Sequence, residues 1–345
     1  MKKVAINGFG RIGRLFLKQA FGNPDFEIVA INDLGDVENL AYLLKYDTVY
    51  GTYEKQVRSE NGKLVVDEKE ILFIQEKDST KLPWEKMGID IVVESTGIFE
   101  SYEKAKTHID AGAKRVIITA PAKDDDGVEW KTVLVGINNG DLEKTVLTSN
   151  GSCTTNAASP VIQILIETIG IEKAILNAVH GYTATQNIVD GPIHPAISGA
   201  KGKDFRRGRA AAQNIVPSTT GAAIAITRAI PELVGKFDGI ALRVPVLTGS
   251  IVDITFIAKR NTSVDEINKI FRDAEKLLRW KGIFKTVEDQ IVSSDILGQK
   301  YGAIVDLNFT KVVDGNLVKV LSWYDNEAGY VSTLVRHVSL VSQLP

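Results

Sequence analysis

One cysteine stands in the 345 residues, and its surroundings are chemical rather than apolar. Cys153 lies in Ser149-Asn150-Gly151-Ser152-Cys153-Thr154-Thr155-Asn156, a run of small and polar residues with no apolar alternation. Its nucleophilic form is the thiolate, and an ordinary free cysteine is mostly protonated at neutral pH. Such a sulfur therefore needs a helix N-terminus or a basic partner. Ala157-Ala158, Val161-Ile162 and Ile164-Leu165 follow at helical spacing, so a helix is expected to begin near Ser152. Pro160 complicates this, because proline belongs in a first turn; a helix capped by Ser159 would leave Cys153 on a loop. We expect the earlier start, with a kink. The basic partner is sought among four histidines. His180, in Asn177-Ala178-Val179-His180-Gly181-Tyr182-Thr183, closes an apolar run where a strand would end and a side chain could face a cleft.

A second chemical stretch opens the chain. Gly8-Phe9-Gly10-Arg11-Ile12-Gly13 follows the apolar Val4-Ala5-Ile6 and precedes Leu15-Phe16-Leu17 and Ala20-Phe21, spaced like one helix face. Strand, glycine turn and helix start make a pyrophosphate cradle: backbone N–H groups and the positive helix end face the anion, and glycine lets the backbone approach it. The second apolar run, Phe26 to Asn32, ends at Asp33, 20 positions beyond Gly13. An acid about there accepts hydrogen bonds from the adenosine ribose and repels a 2′-phosphate, which favours NAD over NADP. Ser95-Thr96-Gly97 ends a third run, Ile89 to Glu94, at the strand end where open α/β sheets bind ligands.

These groups need elements to position them. Through about residue 150, apolar strands alternate with helical stretches, with a hairpin around Asn61-Gly62, a helix over 101–112, and strands at 114–119, 133–136 and 146–148. That pattern implies a parallel, doubly wound sheet. Afterwards the strands lengthen and alternate (174–179, 240–246, 251–257, 304–309, 317–323), which suits a mainly antiparallel sheet. Ser263-Val264-Asp265-Glu266 reads as a capping box, and 329–342 as a final helix. The expected division is a dinucleotide-binding domain over 1–151, completed by 329–345 as the last helix returns to it, and a catalytic domain over 152–328.

Composition narrows the class. The formal charge of −2 gives no basic field for nucleic acid or an anionic membrane surface. A lone cysteine excludes an internal disulfide and a thiolate metal cage. No apolar run is long enough to span a bilayer, and Met1-Lys2-Lys3-Val4 runs directly into the first strand, so a cytoplasmic protein without a signal peptide is expected.

The motifs together resemble the phosphorylating glyceraldehyde-3-phosphate dehydrogenase family along essentially the whole chain. They are Asn7-Gly8-Phe9-Gly10-Arg11-Ile12-Gly13-Arg14, Ile31-Asn32-Asp33-Leu34, Glu94-Ser95-Thr96-Gly97, Ser152-Cys153-Thr154-Thr155-Asn156, His180 with Tyr182-Thr183, Pro217 to Ala223, Arg243-Val244-Pro245 and Trp323 to Tyr330. The resemblance implies a Rossmann-type domain with a catalytic domain, NAD as cofactor, glyceraldehyde 3-phosphate and inorganic phosphate as substrates, and a homotetramer. It implies that Cys153 attacks the aldehyde to give a thiohemiacetal. His180 would lower the thiol pKa, take the hemiacetal proton and donate to the oxyanion; hydride leaves to NAD+, and phosphate attacks the resulting thioester. Thr183 and Arg243 match the substrate-phosphate pocket, and Ser152, Thr154, Thr220 and Gly221 the attacking-phosphate pocket. Lys77, Thr119, Asn326 and Tyr330 join the glycine turn, Asp33 and Ser95-Thr96-Gly97 as cofactor-side residues, with Asn326 on the nicotinamide carboxamide.

Three departures from the family pattern stand out. Ala157 replaces a frequent second cysteine, Lys77 stands where arginine is common, and the loop from Gln186 to Asn214 is longer around 193–202, where it would alter a subunit interface and the rim of the cofactor pocket. His194 lies in that loop and is not expected to be catalytic; Lys203, Arg206, Arg207 and Arg209 read as an interface or a solvated face. The alternatives are an erythrose-4-phosphate-type dehydrogenase that releases acid, and a non-catalytic NAD-binding protein.

Overall fold

The computed structural model describes residues 1–193 and 204–345. His194, Lys203 and the inserted loop positions between them lie outside the described residues. The chain forms two compact units. One comprises Met1–Val133, Asn139–Asn150 and Leu334–Pro345; the other comprises Leu134–Asn138 and Gly151–Thr333.

Among the described residues, the first unit is built on a nine-stranded sheet in the order Trp130–Thr132, Leu147–Ser149, Arg115–Ile118, Ile91–Glu94, Lys2–Asn7, Phe26–Asn32, Lys69–Ile74, Lys63–Val66, Val57–Glu60. Every pairing from the first edge to Lys69–Ile74 is parallel. The strands are apolar because both faces are covered, and Val4, Ala5, Ile6, Val92 and Val93 are fully buried. The strand order turns back at Lys2–Asn7, whose neighbours are Phe26–Asn32 and Ile91–Glu94. A ligand cleft belongs at the carboxyl ends of such strands. The Asn61-Gly62 hairpin forms as expected: both residues have positive φ, at 51° and 73°, the pairing a tight two-residue turn requires.

Two local expectations need correction. The stretch 101–112 is two four-residue helices, Tyr102–Ala105 and Thr107–Asp110, because Ser101 caps the first and Lys106 closes it before the second starts. The strand expected at 133–136 lies at Trp130–Thr132 instead. There the sequence is a turn, and Gly136 has φ +85° with the Trp280 ring against it.

Among the described residues, the second unit carries a seven-stranded sheet in the order Val216–Thr219, Phe237–Val244, Ile171–Gly181, Ser250–Ala258, Leu317–Tyr324, Ala303–Val313, Phe284–Val287. It is mixed: Ile171–Gly181 with Phe237–Val244, and Phe284–Val287 with Ala303–Val313, are parallel, and the remaining pairs antiparallel. Val252, Ile254, Phe256 and Ala258 alternate inward along one strand. The helices Cys153–Thr168 and Val264–Glu275 pack over Ala303–Val313. Ser263 caps the second of these by accepting from the Glu266 N–H at 3.2 Å. The Glu266 side chain turns outward to Arg260 and Thr262 instead of returning to the cap, so only half of the box forms.

Candidate active site

Cys153 is the first residue of a sixteen-residue helix that runs through Pro160 to Thr168. Ser152 starts the helix there. Its hydroxyl accepts the Thr155 N–H at 3.1 Å, and the Thr155 hydroxyl accepts the Ser152 N–H at 3.1 Å. Two orphan N–H groups are thereby satisfied reciprocally. Gly151 makes the entry possible with φ +66°, and a Cβ there would stand 2.8 Å from the Thr155 methyl. Pro160 removes the N–H that the Asn156 carbonyl would accept in a regular helix, which costs about 3 kcal/mol in an isolated helix. Near-complete burial of Ala157, Ala158, Val161, Ile162 and Leu165 offsets that cost.

Cys153 is half-buried, and its sulfur lies 3.3 Å from His180 Nε2. His180 is next to last in the strand Ile171–Gly181, and strand register puts it opposite Arg243. The guanidinium approaches the other ring nitrogen: Arg243 Nη1 is 2.6 Å from His180 Nδ1, and the Gly181 carbonyl oxygen is also 2.6 Å from Nδ1. These two contacts ask for opposite tautomers. The carbonyl needs Nδ1 protonated, which leaves Nε2 free to accept the thiol proton. The Arg243 N–H needs Nδ1 bare, which puts the proton on Nε2, where it can only donate. The Tyr324 and His180 rings form a T-shaped pair with centroids 5.9 Å apart, and the Tyr324 hydroxyl bonds Thr154 Oγ1 at 2.9 Å.

The electrostatics favour neutral resting forms. Burial, reinforced by the Arg243 charge, pushes the His180 imidazole down to about 3. Burial pushes the Cys153 thiol up; Arg243 and the N–H groups of Thr154 and Cys153 at the helix start pull the other way. Proton transfer from sulfur to Nε2 is what would make the nucleophile, and the helix N-terminus and Arg243 are the groups that stabilise the resulting thiolate.

The other catalytic-side residues are distributed as follows. Thr183 follows the His180 strand, and its hydroxyl bonds that of Thr185 at 2.9 Å. Ser152 and Thr154 have their hydroxyls engaged in the cap and on Tyr324. Thr220 accepts the Ala222 N–H at 3.2 Å, and Gly221 caps the helix Ala222–Ala229. The register sets Val216, not Thr220, beside Arg243, so Thr220 and Gly221 are not level with His180 along the sheet. Asn326 is buried, and its amide oxygen accepts the Gly249 N–H at 3.0 Å and the Ser250 hydroxyl at 3.1 Å, which directs its NH2 as the donor to a ligand. The Tyr330 hydroxyl donates to the Gly151 carbonyl at 3.2 Å and braces the entry to the Cys153 helix. Arg207, read from sequence as part of an interface, is mostly buried and close enough to help depress the Arg243 pKa.

In the first unit, the three glycines differ in what they permit. Gly8 has φ +95°, and a Cβ there would stand 2.6 Å from the Thr96 nitrogen. A Cβ at Gly13 would meet the Gly8 carbonyl oxygen at 2.2 Å, so helix and turn pack backbone to backbone. Gly10 faces open space, where a pyrophosphate can approach the start of the helix Arg11–Ala20. Ile12 lies in that first turn, while the Arg11 guanidinium is turned away onto Asp47 at 3.2 Å. Asp33 ties the second strand to the turn, accepting the Phe9 N–H at 2.6 Å and the Gly35 N–H at 2.8 Å, with lone pairs left for ribose hydroxyls. The Ser95 hydroxyl donates to the Gly8 carbonyl at 2.7 Å, and Gly97 has φ +71°. The Thr119 N–H donates to the Glu94 carbonyl at 3.0 Å, and Lys77 is exposed beyond the strand Lys69–Ile74.

The first unit has the fold of the NAD-dependent dehydrogenases. The sequence model described as the NAD binding domain of glyceraldehyde 3-phosphate dehydrogenase matches residues 2–102, and that described as its C-terminal domain matches residues 152–326. The chain is similar to glyceraldehyde-3-phosphate dehydrogenase of Clostridium pasteurianum, 46% identical over 100% of this chain and 99% of the relative. It is similar to that of Borreliella burgdorferi, 48% identical over 96% and 97%. Glyceraldehyde-3-phosphate dehydrogenase 1 of Kluyveromyces lactis is 43% identical over 98% and 100%. The chain belongs to the glyceraldehyde-3-phosphate dehydrogenase family.

Proposed function

We propose that Cys153 and His180 are the nucleophile and base through which this chain carries out its reaction, the NAD-dependent, phosphorylating oxidation of glyceraldehyde 3-phosphate in glycolysis. The observation that carries this reading is the 3.3 Å contact between Sγ and Nε2 at the start of a capped helix. Sulfur attacks the aldehyde carbon as its proton passes to Nε2, and Nε2 hands that proton to the new oxyanion, giving a thiohemiacetal and a neutral imidazole. His180 then takes the hemiacetal proton, hydride leaves carbon for NAD+, and a thioester remains on Cys153. Phosphate attacks the thioester, and the thiolate departs. The Cys153 N–H and the imidazole N–H are the donors for the oxyanion. Arg243 and Thr183 bind the substrate phosphate. Once that phosphate takes the Arg243 donor, the Gly181 carbonyl alone holds Nδ1–H, and Nε2 is left as the acceptor that the base step needs. Ser152, Thr154, Thr220 and Gly221 supply the attacking phosphate with backbone and hydroxyl donors.

NAD binds the chain through its first domain. In our reading the site comprises Gly8, Gly10, Arg11, Ile12, Gly13, Asp33, Lys77, Ser95, Thr96, Gly97 and Thr119, with Asn326 on the nicotinamide carboxamide and Tyr330 at the entry to the Cys153 helix. The boundaries proposed for the coenzyme domain are 1–151 with 329–345, and for the catalytic domain 152–328. A homotetramer is the assembly we assign; Ile175, Ile240 and Leu317 are exposed on one face of the seven-stranded sheet, an apolar set suited to another subunit. Among the described residues no helix is long and apolar enough to cross a membrane. The cytoplasm, where glycolysis runs, is the proposed location.

The reaction itself is tested by omitting phosphate. NADH formation from glyceraldehyde 3-phosphate and NAD+ is expected to fall at least tenfold, and full turnover without phosphate would identify an acid-releasing dehydrogenase. Cofactor choice is tested by Asp33→Ala. Removing the carboxylate removes its repulsion of a 2′-phosphate, so the ratio of kcat/KM with NADP+ to that with NAD+ is expected to rise at least tenfold; an unchanged ratio would remove Asp33 from the site.

A further inference from the structure

Three segments of the first unit meet around a histidine that the reaction does not use. His108, from the helix Thr107–Asp110, is completely buried. Trp84 Nε1 donates to its Nδ1 at 3.1 Å. The indole N–H can only donate, so Nδ1 must accept and the ring proton sits on Nε2. Nε2 lies 3.0 Å from the Oε2 of Glu94, a carboxyl only 2% exposed at the end of the strand Ile91–Glu94. The same Oε2 accepts from Asn7 Nδ2 at 2.5 Å, and Oε1 accepts from the Thr96 N–H at 2.8 Å and the Thr96 hydroxyl at 2.5 Å. Asn7 Nδ2 also stands 3.3 Å from Nε2, but its oxygen is taken by Asn32 Nδ2 at 2.8 Å, which orients its NH2 toward Glu94. Each contact on Glu94 is thus a donor to an acceptor-only carboxylate.

The network ends on the coenzyme cradle. Asn7 immediately precedes Gly8. Thr96 belongs to Ser95-Thr96-Gly97, whose backbone lies against Gly8 so closely that no side chain fits there. We infer that His108 is a positioning residue for the coenzyme site: its imidazole, fixed in one tautomer by Trp84, holds Glu94, and Glu94 holds both the strand that delivers the glycine turn and the loop facing it. This inference rests on the proposed coenzyme site. It assigns His108, Glu94 and Trp84 no contact with the coenzyme or the reacting atoms. A carboxylate that lost the Nε2 donor would keep its partners but lose the direction that sets Thr96 against Gly8.

The test is steady-state kinetics on the full-length enzyme. His108→Phe keeps an aromatic ring and removes both hydrogen bonds. It is expected to raise KM for NAD+ at least fivefold, while kcat at saturating NAD+ and KM for glyceraldehyde 3-phosphate stay within twofold. His108→Gln, whose amide can donate to Glu94 and accept from Trp84, is expected to keep KM for NAD+ within twofold of the native value. An unchanged KM for NAD+ in His108→Phe, or a rise in His108→Gln as large as in His108→Phe, would overturn the inference. If His108→Phe does not fold, Trp84→Phe carries the test: it removes the donor that fixes the ring, and a KM for NAD+ no higher than native counts against the inference. The Asp33→Ala experiment separates the two levels. A changed cofactor ratio there with an unaffected His108→Phe leaves the coenzyme site standing and refutes only the positioning role.

Discussion

Replacing Cys153 by serine is expected to lower kcat by about 10⁴-fold or more while leaving the fold and NAD+ binding intact. Oxygen occupies the same place at the helix start, and the two side chains differ by one atom. The chemistry differs much more. A thiol loses its proton near pH 8.5 and is intrinsically nucleophilic, whereas a hydroxyl at the same position needs far stronger activation. The serine adduct would be an ester rather than a thioester, a poorer acyl donor to phosphate. Removing the nucleophile of a comparable covalent enzyme costs on the order of 10⁶-fold. Because the chain has no other cysteine, and Ala157 stands four residues on, no neighbouring sulfur can substitute. Initial rates of NADH formation measure the loss, and a coenzyme titration of the same preparation checks binding. A serine variant within tenfold of the native enzyme would remove Cys153 from the reaction.

The second large effect belongs to His180. His180→Asn is expected to lower kcat by about 10²- to 10⁴-fold, the usual contribution of a positioned general base or acid. Burial and the Arg243 charge hold the imidazole near 3, so at neutral pH the ring is unprotonated and available as a base. The sign follows from that. Acid impairs His180 only as pH falls toward that low value, and not through the ordinary histidine range. Burial raises the thiol meanwhile, so without the imidazole the thiolate is scarce at neutral pH. Asparagine restores a donor near the oxyanion but cannot take the proton. The variant should therefore retain substrate and coenzyme binding and lose the chemical step, seen as an unchanged KM with a depressed kcat. A kcat within threefold of native would assign proton transfer elsewhere.

How far these sites were legible in the sequence depended on how local their chemistry is. The coenzyme turn was legible because its logic is contained in about thirty consecutive residues: glycines where side chains collide at Gly8 and Gly13, and an acid at the end of the next strand. The start of the Cys153 helix was ambiguous, since Ser152 and Ser159 are both acceptable caps and Pro160 argues for the later one. What decided it was the reciprocal bond of Ser152 with Thr155 and the burial of the first two turns, which outweigh one missing N–H. The contact of Arg243 with His180 was not legible. It follows from the parallel register of two strands 63 residues apart, and no spacing rule encodes that. Arg207 was set aside for the same reason: a basic run looks solvated until folding buries one of its members against Asp204. The Glu94–His108–Trp84 network joins three segments that share no motif, and its meaning lies only in their meeting. The short helices at 102–110 show the opposite limit, where an apolar pattern extends across a break made by local capping.

The pairing of one sulfur with one imidazole is tested most directly by the rate at which iodoacetamide alkylates Cys153 in the coenzyme-free enzyme, read by intact mass. The single cysteine makes the signal unambiguous, and saturating inorganic phosphate is included so that it takes the Arg243 donor and leaves Nε2 as the acceptor. At neutral pH the native protein is expected to react at least tenfold faster than His180→Asn, with the difference closing at alkaline pH as the thiol ionises unaided. Equal rates in the two proteins at neutral pH would contradict activation of Cys153 by His180.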